Sequence, residues 1–450
     1  MHESRVARGI GLALIGSALL FNPLFIGLVF SIDDRVHLPA TLIFIGAAEL
    51  FFLGGGIFFL TRGRRLGGRT AYFTLVLLLV IPAGVELGLQ LFRLAQHLVW
   101  PPAPDRRMGI STYRDKPWAG ELFRETHELT FSYDQYLGWR TREYHGRWIT
   151  VEKDGLRKTT GASAGGPQVA RRLFLFGGSS MWGAYVRDEW TIASLLQKKA
   201  REAGLSICVS NYAEQGYTFT QGVLRLLLLI REGKIPDVVI FYDGFNDVVT
   251  AETTGKPGQN SLTAQFEELV EMRRLGIFKQ TGRTIQALIT QNCMLYKCAE
   301  RLAGFRGTEK GESRTPHQFS VDSLSGGILR EYLQTYALLD SLSRTYHISF
   351  ACVLQPDLYT KIRRSTEEET VDDRVRDNPL RSLFETSYAA IRGAHLAHWF
   401  DLSSVFDAYP ETVYSDLCHV SEEANGIIAD TLIPIVRGAV PPAALEQEAH

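Results

Sequence analysis

The chain has 450 residues, and 48 Lys and Arg against 49 Asp and Glu give it a formal net charge of −1. A chain of this length is expected to form about two or three units, and so balanced a charge offers no electrostatic attraction to nucleic acid. The mean hydropathy of −0.03 is high for a soluble enzyme, and the apolar residues are concentrated at the start of the chain.

Three long apolar runs occupy the amino-terminal part of the chain. Residues 9–32 carry no charge, residues 38–61 carry only Glu49, and residues 71–92 carry only Glu86. Each run exceeds the roughly 20 residues that a helix needs to cross a bilayer, whereas a cleaved signal peptide has one apolar stretch of about 7–15 residues. The pattern predicts three transmembrane helices within residues 1–100. An acid inside a membrane marks a pathway, pairs as a protonated carboxyl with a neighbouring helix, or tilts to the interface, and the last two are the favoured interpretations.

The basic residues predict the orientation of these helices. Arg5 and Arg8 precede the first run, and four arginines lie between the second and third runs at 62, 64, 65 and 69. The loop at 33–37 contains a single arginine and two aspartates. Because basic loops stay cytoplasmic, we expect a cytoplasmic amino terminus in a multi-pass protein of the inner (cytoplasmic) membrane. Everything after about residue 100 is then extracytoplasmic.

Residues 101–170 are predicted to form a juxtamembrane linker and a short, strand-rich collar. The segment begins with three prolines between residues 101 and 104 and is rich in aromatic residues. An extracytoplasmic location permits disulfides, but the odd number of cysteines, five, leaves at least one free thiol. Their spacing matches no zinc motif, so no metal is expected.

Residues 171–440 show alternating strands and helices, which is typical of an α/β fold with a parallel sheet and helices on both faces. Strands are predicted over 173–176, 207–211, 238–242, 348–354 and 398–402. Helices are predicted over 191–203, 218–232, 329–344, 382–394 and 421–436. Residues 250–325 interrupt the alternation and are interpreted as a helical insertion that could form a lid or a substrate wall.

Polar motifs follow the predicted strands, where an open parallel sheet binds its ligands. Ser179 follows the first strand, Gly216 the second, Asn246 the third, and Asp416 and His419 lie just before the last helix. A hydroxyl, an imidazole and a carboxylate are the parts of an activated serine nucleophile. We therefore predict that Ser179 attacks, His419 acts as base and Asp416 orients it. Oxyanion donors are expected from the backbone of Ser179 and Gly216 and the amide of Asn246.

Other assignments for these residues remain open. Ser180 is a second candidate nucleophile, and both serines could simply cap a helix. His395 and His398 compete with His419 as bases, but neither has an acid three residues ahead. Asp247 is expected to support its loop. A Gly-x-Ser-x-Gly elbow is absent because residue 181 is Met, which disfavours the α/β-hydrolase arrangement.

The four blocks together resemble the SGNH (GDSL-like) hydrolase family. The serine block is Gly178 and Ser179, the glycine block Gly216, the asparagine block residues 244–247, and the acid–histidine block residues 416–419. The likeness covers roughly residues 171–436, with Gly-Gly-Ser where most members have Gly-Asp-Ser. Residues 133–140 and 153–157 look like the segment that precedes this domain in membrane-anchored bacterial members.

The resemblance implies a flavodoxin-like three-layer α/β/α domain and cleavage or transfer of ester-linked acyl groups without a cofactor. We predict a serine esterase that acts through an acyl-enzyme on a cell-envelope ester such as an O-acetylated glycan. The alternatives are an O-acyltransferase that modifies an envelope glycan and a catalytically inert binding domain of the same fold. The intact set of site residues argues against the inert domain.

Overall fold

The computed structural model describes residues 2–20, 38–62, 68–99, 105–162, 171–263, 320–373 and 380–439, with parts of 265–302. The chain divides into two compact units, one formed by residues 1–103 with 265–316 and the other by residues 104–264 with 317–450. The predicted boundaries of anchor, collar, hydrolase domain and insertion stay predictions.

The described α-helices, in chain order, are α1 (His2–Leu20), α2 (Leu38–Thr61), α3 (Gly68–Val99), α4 (Ala119–Glu128), α5 (Ser179–Trp182), α6 (Ile192–Glu202), α7 (Phe219–Arg231), α8 (Phe245–Thr254), α9 (Met294–Leu302), α10 (Val321–Tyr346), α11 (Thr366–Asp373), α12 (Leu380–Gly393) and α13 (Glu422–Ala439). The described strands are β1 (Phe131–Asp134), β2 (Gly138–Thr141), β3 (Tyr144–His145), β4 (Thr150–Val151), β5 (Arg171–Gly177), β6 (Ile207–Asn211), β7 (Val238–Asp243), β8 (Ser349–Leu354) and β9 (Trp399–Asp401).

The first unit contains the apolar helices α1, α2 and α3. Helices α1 and α2 touch through glycines: a Cβ placed on Gly11 would lie 3.0 Å from the Gly56 carbonyl oxygen, and one placed on Gly56 would lie 2.9 Å from the Gly11 carbonyl oxygen. Small residues allow this close approach, which is common where apolar helices associate in a membrane.

Within the described residues, one helical segment, Tyr72–Gln96 in α3, is long and apolar enough to cross a membrane. The apolar segments Ala7–Leu19 in α1 and Ile45–Thr61 in α2 are shorter. The first predicted span continues beyond Leu20 into residues that lie outside the described part of the chain. One such helix is weak evidence for a membrane association, so the three spans and their orientation stay predictions.

Glu86, in the apolar part of α3, caps another helix of the same unit. Its carboxylate accepts hydrogen bonds from the backbone N–H groups of Met294 and Leu295, both at 2.8 Å, and from the Gln90 amide at 2.7 Å. These N–H groups open α9 and have no partner inside that helix, which is why a carboxylate is stabilising there. The Glu86 side chain is therefore paired with the start of α9, whereas a role in a membrane pathway is untested.

The second unit is built on a five-stranded sheet with the order β6-β5-β7-β8-β9. Every neighbouring pair is parallel; for example, Leu175 of β5 lies opposite Asn211 of β6 and Ile240 of β7. The predicted α/β class with a parallel sheet is confirmed. All the carboxyl ends of these strands meet at one edge, which is where the candidate site lies.

Successive side chains of the strands supply two separate cores, because they point to opposite faces of the sheet. Leu173 and Leu175 of β5 join one core with α6 and α13. Phe174 and Phe176 join the other with α7, α8, α10 and α12. The sheet is thus covered by helices on both faces. The four buried side chains of β5 hold this strand in place between the two cores, directly before Ser179.

Residues 105–162 belong to the same unit as the sheet. They contain α4 and two short antiparallel hairpins, β1–β2 and β3–β4. Glu125 of α4 is buried and accepts backbone hydrogen bonds from Arg147, Trp148 and Ile149. Arg157 bridges to Asn211 at the outer edge of β6. Four short strands lie in this segment together with a helix that was not predicted, and its designation as a collar stays a prediction.

Candidate active site

Ser179 opens the short helix α5 directly after β5, and two glycines let the chain turn there. A Cβ on Gly177, whose φ is +152°, would lie 2.4 Å from the Tyr242 carbonyl oxygen of the neighbouring strand β7. A Cβ on Gly178 would lie 2.1 Å from the side-chain nitrogen of Asn246. Position 177 therefore requires glycine, a side chain at position 178 would displace the Asn246 amide, and the serine side chain emerges half-buried at the carboxyl edge of the sheet.

His419 lies between Ser179 and Asp416 and contacts both. Its Nε2 is 2.7 Å from Ser179 Oγ, and its Nδ1 is 2.8 Å from Asp416 Oδ2. Asp416 Oδ1 accepts the backbone N–H groups of Cys418 at 3.1 Å and of His419 at 2.9 Å. These two bonds fold residues 416–419 into a tight turn, which is how an acid three residues ahead of a histidine reaches its ring.

Asp416 is held as a carboxylate. Desolvation raises its pKa, but the neighbouring His419 charge and hydrogen bonds from His419 and Cys418 outweigh this effect and lower the pKa to about 2. A carboxylate can only accept hydrogen bonds, so the proton of neutral His419 sits on Nδ1. Nε2 is then the acceptor for the Ser179 hydroxyl proton.

The loops that carry the predicted oxyanion donors approach the turn at Gly178: the Asn246 amide nitrogen and the Tyr217 carbonyl oxygen would lie 2.1 and 3.3 Å from a Cβ placed there. The backbone N–H groups of Ser179 and Gly216 donate no hydrogen bond within the described part of the chain. The Asn246 amide donates one N–H to the Tyr217 carbonyl oxygen at 2.8 Å, and a primary amide carries a second. Gly216 has a φ of +79°, a conformation that glycine adopts without strain.

The competing residues have other partners. The Ser180 hydroxyl donates to the Cys418 carbonyl at 3.1 Å. Asp247 accepts backbone N–H groups of Phe219 and Gly244, both at 3.1 Å, so it supports its loop; burial raises its pKa to about 6. His398 directly precedes β9, at the opposite end of the strands, and its ring packs on Phe350. His395 lies in the turn that leads to the same end.

Arg107 and Tyr185 flank the pair of His419 and Asp416, and the sequence did not reveal them. The Tyr185 ring meets the His419 ring edge-on, with centroids 4.9 Å apart. The Arg107 guanidinium lies 3.4 Å from the centre of the Tyr185 ring and 3.5 Å from Asp416 Oδ2. Arg107 looked like one more basic residue of a juxtamembrane linker, and no local pattern distinguishes it.

Asp416, Cys418 and His419 are the one group, within the described ranges, whose ligand atoms lie close enough to hold a metal, within 4.8 Å of one another. Burial raises the pKa of the Cys418 thiol well above its usual range, which keeps it protonated. A metal at these atoms would have to displace the hydrogen bonds that join His419 to its neighbours. The group therefore fits a hydrogen-bonded acid–base pair better than a ligand set.

No family model matches the chain, and no curated protein matches it. Among solved structures it is similar to the acetyl xylan esterase AlAXEase, with 15% identity over 60% of this chain and 100% of that chain and a TM-score of 0.33. The esterase EstA from Pseudoalteromonas sp. has 13% identity over 60% of this chain and 97% of that chain, with a TM-score of 0.30. A lipolytic G-D-S-L family member from Veillonella parvula has 11% identity over 60% and 99%, with a TM-score of 0.33. Likenesses this distant carry no argument about the activity.

Proposed function

We propose that residues 171–440 form an SGNH-type serine ester hydrolase with Ser179 as nucleophile. The observation that carries this proposal is the unbroken chain of short hydrogen bonds from Ser179 Oγ through His419 to Asp416. The serine and the histidine are 240 residues apart in the sequence, yet their side chains lie 2.7 Å apart. A serine that only caps a helix needs no such partner.

The geometry supports a two-stage reaction. As Ser179 Oγ attacks the acyl carbonyl carbon, His419 Nε2 takes the hydroxyl proton, and Asp416 stabilises the resulting imidazolium. The carbonyl oxygen becomes negative and accepts hydrogen bonds from the Ser179 and Gly216 N–H groups and the Asn246 amide. His419 then gives its proton to the leaving alcohol oxygen as the C–O bond breaks. Water cleaves the acyl-enzyme by the same steps and restores the serine.

Ester turnover and the part of Asn246 in it can be measured together. We expect the full-length chain in detergent to hydrolyse p-nitrophenyl acetate. Asn246→Ala should lower kcat by about 10²- to 10³-fold, because one of three oxyanion donors is lost. The matched control is Asn425→Ala, which removes an amide of α13 that donates to the Trp190 carbonyl. A wild-type chain without ester turnover contradicts the proposed function, and normal kinetics in Asn246→Ala contradict the donor role alone.

The substrate class proposed is an acyl ester of the cell envelope, such as an O-acetylated glycan. This step rests on the proposed extracytoplasmic location of a domain that shares its chain with a membrane anchor, since envelope polymers are found in that compartment. We propose accordingly that α1, α2 and α3 are transmembrane helices of the inner membrane. The four arginines between the second and third apolar runs support a cytoplasmic location for that loop.

The proposed topology makes a simple prediction about the carboxyl terminus and the loop between the second and third apolar runs. An alkaline phosphatase fused to the carboxyl terminus should be active, because that enzyme needs the oxidising compartment outside the cytoplasm. The same reporter inserted after Arg65 should be inactive. Activity at residue 65 with none at the carboxyl terminus would invert the topology, and activity at neither site or both would contradict a three-span anchor.

A further inference from the structure

The hairpin formed by β1 and β2, residues 131–141, packs against the turn that carries Gly216. We call residues 214–217 the glycine loop. Trp139 of the hairpin donates its indole N–H to the Gln215 carbonyl at 2.8 Å, and its own carbonyl accepts the Tyr217 hydroxyl at 2.5 Å. The rings of Trp139 and Tyr217 also meet edge-on, with centroids 5.4 Å apart. The hairpin thus binds the glycine loop on both sides of Gly216.

Glu214 adds a second connection at the start of the glycine loop. Its side chain is buried, and its carboxylate accepts the Thr141 backbone N–H at 2.7 Å, the Thr141 hydroxyl at 2.6 Å and the Gln215 N–H at 2.9 Å. A buried carboxylate is retained where several donors compensate its lost hydration. Here two of the three donors belong to one residue of β2, so the carboxylate joins the hairpin to the loop.

The glycine loop in turn sets two of the three oxyanion donors. The Gly216 N–H belongs to it, and a Cβ on Gly216 would lie 3.2 Å from the Trp139 ring, so the indole limits how far this peptide can move. The Tyr217 carbonyl accepts one N–H of Asn246 and thereby fixes the plane of the amide. A shift of the loop would misalign both donors at once.

We propose that the hairpin is a positioning element of the active site, in which Trp139 and Thr141 hold the glycine loop so that Gly216 and Asn246 point at the oxyanion. This inference rests on the proposed function. It assigns a role in the reaction to residues that precede the α/β fold in the sequence. Misplacement of a reacting group by about 1 Å can cost about 100-fold in rate. Loss of the contacts between the hairpin and the glycine loop should therefore lower kcat and leave ester binding nearly unchanged.

Two variants of the full-length chain in detergent test this role. Trp139→Phe removes the indole N–H and keeps an aromatic ring, and Thr141→Val removes the hydroxyl at nearly constant volume. We expect each to lower kcat for p-nitrophenyl acetate by about 10- to 100-fold while KM changes by less than about threefold. Thr141→Ser keeps the hydroxyl and should retain a kcat within about threefold of the wild type.

Matched controls separate this role from a general loss of packing. Trp399→Phe removes an indole N–H that bonds Tyr332 beside β9, and Thr126→Val removes a hydroxyl that bonds the Leu122 carbonyl inside α4. Both controls should keep the wild-type kcat. Amide hydrogen exchange should become faster across residues 214–217 in Trp139→Phe and stay unchanged in Trp399→Phe. This measurement tests whether the hairpin holds the glycine loop, independently of ester turnover.

The outcomes distinguish the two proposals. If the wild type is active and Trp139→Phe and Thr141→Val keep its kcat, the positioning role of the hairpin is overturned while the esterase proposal stands. The positioning role is also overturned if amide hydrogen exchange across residues 214–217 is unchanged in Trp139→Phe. A wild type without ester turnover overturns the esterase proposal and, with it, any role of the hairpin in catalysis.

Discussion

Ser179→Ala should lower kcat for p-nitrophenyl acetate by about 10⁴- to 10⁶-fold, the size of effect seen when the nucleophile of a triad is removed. The variant keeps the oxyanion donors and the pair of His419 and Asp416, so only the covalent route is lost. Substrate binding should change little, and a fluorophosphonate that labels the wild-type chain should leave the variant unlabelled. Initial rates and intact mass measure the two effects.

Ser180→Ala is the matched control, since it removes the same atom from the next residue. Its hydroxyl bonds the Cys418 carbonyl rather than an imidazole, and deleting a neutral hydrogen bond of this kind costs only about 0.5–1.5 kcal/mol of stability. We expect it to keep a kcat within about threefold of the wild type. Turnover near the wild-type level in Ser179→Ala, combined with loss of turnover in Ser180→Ala, would move the nucleophile to the second serine.

Arg157→Met should lower the free energy of unfolding of the second unit by about 3–5 kcal/mol, the usual cost of breaking one side of a buried ion pair. The guanidinium is completely buried; its Nε lies 2.7 Å from Asp188, and its other nitrogens donate to the Gly183 and Val186 carbonyls. It also stacks over the Trp182 ring at 4.4 Å. Methionine fills the volume but leaves two carbonyls without the guanidinium, and the Asp188 carboxylate keeps the Thr150 backbone N–H alone.

Arg171→Met is a matched change at the surface. Arg171 is 37% exposed and lies 3.7 Å from Asp237, an exposed pair of a kind that contributes at most about 1 kcal/mol. Urea unfolding of both variants, followed by tryptophan fluorescence, compares the two losses. Equal losses would show that burial does not decide the contribution of Arg157. Because Gly183 directly follows α5, ester turnover should fall in Arg157→Met before the unit unfolds.

The sheet and its helices were predictable because local patterns reflect burial. The apolar runs at 207–211 and 238–242 match β6 and β7 within one residue. Helix α10 was predicted to begin at 329 but begins at Val321. The pair of glycines at 326 and 327 resembles a break, yet a Cβ on Gly327 would lie 2.8 Å from the Pro257 ring. The glycine serves a close contact with a distant loop, which local sequence does not show.

Some residues of the candidate site were likewise predictable from local sequence, and others were not. Ser179, Gly216, Asn246, Asp416 and His419 stand directly after strands or before a helix, so their order along the chain and the topology of a parallel sheet were enough to group them. Their roles stay predictions. Trp139 and Arg107 reach the site from segments before the α/β fold, and nothing in their neighbourhoods indicated it. Long-range packing alone brings them there.

The pairing of Glu86 with the start of α9 bears on how a water-soluble fragment could be prepared. A truncation that starts after the anchor would keep residues 265–316, which belong to the same compact unit as residues 1–103. The Met294 and Leu295 N–H groups would then lose their carboxylate, and the buried Tyr296 of the same helix would lose the unit in which it packs. Such a fragment should aggregate. A fragment with the same start, in which a short Gly-Ser linker also replaces residues 265–316, should remain soluble and monodisperse.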